Sequence, residues 1–172
     1  MPKQILVIEG TRGNARLLAL GLIEQQYNTL VTCYKDAKGA REIRKLSSII
    51  KNPAMAISMD MAQEHSCRRL AQRMNKKMDG IIFAPLWNTQ QEIVDVDKAQ
   101  DAYHKTIRTL LCVHKYIPLT KQGKIIFVCD RPANGFHDIM LYKGLEIFTK
   151  TQEHTHLISP SEKMLSEVLS LL

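Results

Sequence analysis

The 172-residue chain is short of several things, and each scarcity excludes a class of protein. Its four cysteines, Cys33, Cys67, Cys112 and Cys129, stand far apart, so no zinc-finger or Cys-x-x-Cys redox spacing exists. No secretory segment points to an oxidising compartment, and reduced, mostly buried thiols are expected. No apolar run approaches the ~18 residues of a membrane helix, which leads us to expect a cytoplasmic chain with no membrane partner. Aromatic residues make up 6% of the chain and do not interleave with the basic clusters Lys35–Lys38, Arg41–Lys45 and Arg73–Lys77. A single-stranded nucleic-acid surface would show that interleaving, so no nucleic-acid partner is expected. Repeats, linkers and low-complexity segments are also missing.

What is present is an ordinary globular composition, 45% hydrophobic and 24% charged, with a formal charge of +7. One domain spanning 1–172 is expected, long enough to bury about 70% of the surface its unfolded chain exposes. The basic excess is spread out, which suits solvated helix faces or attraction of a phosphorylated ligand.

Gln4 to Glu9 (QILVIE) is a continuous apolar run, the pattern of a strand buried on both faces of a parallel sheet. Gly10-Thr11-Arg12-Gly13 breaks it, and Asn14 to Gln25 has helical periodicity. Further strands are expected at Thr29–Tyr34, Met55–Met59, Gly80–Ala84, Ile125–Cys129 (opened by Gly123-Lys124) and, briefly, Thr155–Ser159. Between them the spacing predicts helices over Ala37–Ile50, Gln63–Met74, Val96–Tyr116 and Ile139–Thr149. A last helix covers Ser161–Leu172, with Ser161 as N-cap and Glu162 near its positive end. Alternation of this kind predicts an α/β fold, a three-layer Rossmann-type doubly wound parallel sheet.

The order of elements and several local signatures resemble the short-chain dehydrogenase/reductase family from Lys3 to about Pro160. Gly10-Thr11-Arg12-Gly13-Asn14-Ala15-Arg16 is similar to the family's glycine turn, with Arg16 where the last glycine is expected. Losing that glycine should loosen helix-strand packing while leaving an anion site at the helix start. The resemblance implies a dinucleotide, NADP(H) or NAD(H), on Gly10, Thr11, Arg12, Gly13 and Asn14, with Arg12 or Arg16 adding charge to the phosphate contacts. Lys35, at the end of the second strand, would favour the phosphorylated cofactor, although Asp36 could take the same place. Asp60 resembles the family's adenine-contacting acid with Met61 beside the ring, and Ala84 survives from the signature ending the fourth strand, where Ile82-Phe83-Ala84-Pro85 replaces Asn-Asn-Ala-Gly.

The catalytic signatures depart further. Gly123 to Asp130 follows the fifth-strand pattern, but Cys129-Asp130 replaces the family's Ser-Ser. Tyr142 stands near the catalytic tyrosine's place, and Glu146 stands where the family has the lysine that lowers the tyrosine pKa. A carboxylate there disfavours phenolate. Lys143 and Lys150 project differently along the helix, and the family's asparagine position falls near Lys105, with His104 beside it. The family's C-terminal substrate-binding extension has no counterpart in 1–172. A divergent NAD(P)-binding scaffold with impaired or absent oxidoreductase activity is therefore expected, binding a cofactor or none. The alternative is an active NADP(H)-dependent carbonyl reductase using Tyr142 with Asp130 as polar partner. The resemblance also implies a homodimer through the two long helices. His154-Thr155-His156 lacks a third ligand, so no metal is expected, and Cys129 beside Asp130 and His137 lacks an orienting group for nucleophilic work.

Overall fold

The computed structural model describes residues 2–52, 54–74, 76–84, 96–129 and 136–172, with the backbone alone at 96–99, 136–141 and 151. Strands and helices alternate: β1 (Gln4–Ile8), α1 (Gly13–Glu24), β2 (Asn28–Cys33), α2 (Ala37–Ile50), β3 (Met55–Ser58), α3 (Glu64–Arg73), β4 (Met78–Phe83), α4 (Val96–Tyr116), β5 (Leu119–Val128), α5 (Phe136–Thr151), β6 (Thr155–Ile158) and α6 (Met164–Leu171). The six strands form one parallel sheet in the order β3-β2-β1-β4-β5-β6. This is the doubly wound Rossmann-type architecture expected from the alternation.

Strand β1 shows how one apolar run builds two cores. Its residues point alternately to opposite faces. Ile5 and Val7 join Leu18 and Leu22 of α1, Ile43 of α2 and Val168 of α6 on one face. Leu6 and Ile8 join Leu70 of α3, Val113 of α4 and Leu145 of α5 on the other. All four strand residues are at most 1% exposed, and each buried side chain of this size contributes about 1.5–3 kcal/mol. Among the described residues no helix is long and apolar enough to cross a membrane.

Two local expectations need correction, and a third gains a contact. Gly123 does not open β5, which already begins at Leu119. It sits at a register shift opposite β4, where an added Cβ would stand 2.9 Å from the Met78 carbonyl oxygen. Ser161 does not cap α6: the helix starts at Met164 after Lys163, and the Ser161 Oγ instead accepts from the Lys163 N–H at 3.2 Å, leaving Glu162 outside the helix. The cysteines are all free, as expected, but folding brings Cys67 of α3 against Cys112 of α4. Burial above all, then Cys112, pushes the Cys67 thiol up to about 12, so it is inert as a nucleophile.

Candidate functional site

Strand order reverses between β1 and β4, and in open α/β sheets ligands bind at the carboxyl ends of the strands beside such a switch point. After Ile8 the chain passes through Glu9, held at φ 51°, to Gly10, whose N–H donates to the Thr32 carbonyl at 3.0 Å. A Cβ on Gly10 would stand 2.7 Å from Val7 Cγ1 and 2.9 Å from Val31 Cγ1, so only glycine lets the turn lie this close to the sheet. Gly13, at φ 49°, then starts α1. The helix has neither a side-chain cap nor an acid in its first turn. Its first N–H groups and positive dipole end are therefore available at this edge.

The position expected to carry the third glycine behaves differently from the expectation. Arg16 does not face the sheet; its Nη2 lies 3.0 Å from Glu42 Oε2 on α2. The residue between α1 and the sheet is Ala15, fully buried in the core with Ile5 and Val7. The third glycine's task is close helix-strand packing, and Ala15 performs it, so the packing is not loosened. Arg16 leans toward α2 and Glu42.

Asp36 ties the turn to the next helix. Its Oδ1 accepts from the Gly39 N–H at 3.0 Å, capping α2, and its Oδ2 lies 3.3 Å from Arg12 Nε. The Gly39 bond first, then the Thr11 hydroxyl and Arg12, hold the Asp36 carboxyl below its ordinary value. Thr11 is buried and bonded to Asp36, Arg12 stays largely exposed beside it, and Asn14 is half-buried. With Asp36 so engaged, the exposed Tyr34 and Lys35 are left at the end of β2. Lys35 adopts φ 52°, and its Nζ lies 5.1 Å from the Tyr34 ring centroid. The Nζ of Lys105 reaches the same edge from α4, 3.0 Å from Glu9 Oε1 and 5.2 Å from that centroid.

Further along the edge, the Asp60 Oδ1 accepts from the Ala62 N–H at 3.1 Å in a turn before α3. Met61 has no exposed surface and packs with Cys67 and Leu70. The turn folds the thioether inward, where apolar burial is favourable. Ala84 is buried just past β4. Asp130 lies outside the described residues, as do Pro85 and the segments 85–95 and 130–135. Tyr142 is half-buried against the second core. Glu146 lies 2.7 Å from Lys143 Nζ and 3.4 Å from Lys150 Nζ, and Lys143 first, then Lys150, lowers its pKa. Among the described residues no His, Cys, Asp or Glu cluster suits a metal. The His156 Nε2 is buried without a hydrogen-bond partner.

Ala15, Tyr34, Glu9 and the capping role of Asp36 were not anticipated as site features. Only Asp36 has a local signal, an acid directly before a helix. The others follow from contacts between elements distant in sequence.

Fold and strand order together define an α/β domain of the Rossmann type. In fold it is similar to short-chain dehydrogenase/reductase structures. A carbonyl reductase from Pseudomonas aeruginosa PAO1 superposes with a TM-score of 0.73 at 12% identity, over 98% of this chain and 90% of that one. The Pseudomonas aeruginosa RhlG/NADP active-site complex gives 0.71 at 19% identity, over 98% and 76%. A short chain dehydrogenase from Burkholderia cenocepacia in complex with NADP gives 0.73 at 16%, over 87% and 66%. At such identities the likeness establishes the fold. No family model matches the sequence, and no curated protein does.

Proposed function

We propose that this chain is a dinucleotide-binding domain of the short-chain dehydrogenase/reductase type, taking NADP(H) in preference to NAD(H), with its oxidoreductase chemistry impaired or lost. The observation that carries the binding half is the turn from Gly10 to Gly13. It holds a glycine that nothing larger can replace, an uncapped helix start, and Ala15 sealing the helix to the sheet. These residues fit a pyrophosphate, since backbone N–H groups can approach it where no side chain intervenes. Lys35 suits a 2′-phosphate, and Asp60 and Ala84 line the remaining edge toward the adenine and the nicotinamide. The two NADP complexes among the similar structures support the choice of ligand.

Bound, the cofactor would supply a hydride. The protein's part would be to hold a carbonyl and deliver a proton from Tyr142 Oη. That role is undercut by Glu146, a carboxylate that Lys143 and Lys150 keep ionised in the place of a cationic helper. A negative neighbour disfavours phenolate. We assign a homodimer through α4 and α5, where Leu111 and Ile147 are 56% and 63% exposed. A monomeric mass by light scattering would overturn it.

Thermal-shift titration tests the binding half. NADPH at 100 times its dissociation constant should raise stability by about 2.7 kcal/mol, and NADH should require higher concentrations. No shift with any of the four nicotinamide dinucleotides removes the reading. NADPH oxidation on a panel of aldehydes and ketones tests the rest: turnover abolished by Tyr142→Phe would establish the active carbonyl reductase instead.

A further inference from the structure

At the carboxyl ends of β1 and β2, side chains from three parts of the chain meet. Lys105 belongs to α4, on the opposite face of the sheet from α1 and α2, yet its Nζ lies 3.0 Å from Glu9 Oε1 and 5.2 Å from the Tyr34 ring centroid. Lys35 Nζ lies 5.1 Å from the same centroid. Two ammonium groups therefore share one exposed phenol ring, with one carboxylate beside them. The next acid, Asp36, is occupied by the Gly39 N–H and Arg12. Glu9 and Lys35 both leave their strands through left-handed backbone, φ 51° and 52°, which non-glycine residues adopt where surrounding contacts impose it.

In this architecture the group that arrives at the end of the second strand is the adenosine ribose, whose 2′ substituent meets whatever the protein presents there. A hydroxyl wants an acceptor such as a free carboxylate; among the described residues Asp36 is taken up by the Gly39 N–H and Arg12, and Glu9 stands against Lys105. A phosphate wants cations, and two stand at the ring. The Glu9–Lys105 pair is partly exposed, 27% and 42%, so it contributes little and is readily exchanged. A phosphate with three acceptor oxygens is the stronger partner for an ammonium. Resting on the dinucleotide reading above, we propose that Lys105 is a second 2′-phosphate ligand beside Lys35. Glu9 holds it at the edge of the crevice and yields it to the phosphate, so α4 takes part in selecting NADP(H) over NAD(H).

Calorimetric titration with 2′,5′-ADP, 5′-AMP, NADPH and NADH tests this on wild type, Lys105→Met, Lys105→Arg, Glu9→Gln and the Lys105→Met/Glu9→Gln double variant. Lys105→Met should weaken 2′,5′-ADP and NADPH about tenfold, the usual scale for a lost charged contact, with 5′-AMP and NADH nearly unchanged. Lys105→Arg should restore most of the selectivity. Glu9→Gln should tighten the two phosphorylated ligands by freeing Lys105, and that gain should vanish in the double variant. Unfolding midpoints close to wild type would verify that each variant folds. If Lys105→Met weakens NADH and NADPH alike, or changes neither, the inference falls while the dinucleotide reading stands. If wild type binds none of the four probes, both fall.

Discussion

The half of the sheet built from β1, β2 and their helices differs from the half built from β5 and β6 in how its polar groups are used. In the first, the polar contacts interlock. Asp36 caps α2 and holds Thr11 and Arg12, Arg16 meets Glu42, and Glu9 meets Lys105. In the second, Glu146 lies in a surface triplet with Lys143 and Lys150, and His156 keeps a buried nitrogen without a partner. A scaffold under pressure to present one precise edge would look like the first half.

The sharpest way to break this comparison is at the helix-sheet contact. Ala15→Leu would force a larger side chain between α1 and the sheet, where exposure is already 0%. Overpacking of that kind costs about 1–3 kcal/mol, and displacement of the helix start should abolish NADPH binding. Arg16→Gly, which recreates the family's glycine, should cost only the helix-propensity difference, about 1 kcal/mol or less, and leave binding in place. Chemical denaturation with calorimetry on both variants separates the two. If Arg16→Gly tightens binding and Ala15→Leu is silent, Arg16 is the motif position after all.

A smaller effect is expected from Asp36→Ala, which removes the cap of α2 and should cost about 1 kcal/mol. The pH dependence fixes the cause. Because the folded chain lowers the Asp36 pKa, its stabilising effect is complete above the unfolded carboxylate pKa of about 4 and is lost as pH falls through the lower folded value. Wild type and variant should therefore differ in urea midpoint at pH 7 and converge in strong acid. A difference that persists unchanged at low pH would mean the carboxylate is not what stabilises the turn.

Much of the first half was legible in the sequence because its signals are local. QILVIE can only be a doubly buried strand, Gly10 and Gly13 mark the turn, and the spacing of α4 from Val96 to Tyr116 reproduces its observed bounds. Arg16 misled because counting residues to a motif position ignores which way a helix turns them: one residue is about 100° of rotation. The inward turn of the Met61 side chain had no signal either, because a residue near a strand end can fold inward as easily as outward. Lys105 and Tyr34 were unreadable as a pair, since 71 positions separate them in sequence and only the crossing of α4 over the sheet brings them together.

The weakest effect, and the one that probes the second half, belongs to His156. It sits in β6 beside Ile126 of β5, with Lys124 and His154 as its charged or titratable neighbours. Burial first, then Lys124, then His154, holds its pKa below the ordinary value. The folded chain thus disfavours the protonated ring, whereas the unfolded chain takes up a proton below about 6.5. More protons on the unfolded state means that stability falls as pH drops below that point, down toward the folded pKa. His156→Gln removes this titration, so its urea midpoint should change less between pH 7 and pH 5 than that of wild type. Equal slopes would mean that the ring is solvated after all, and that the second half is as well satisfied as the first.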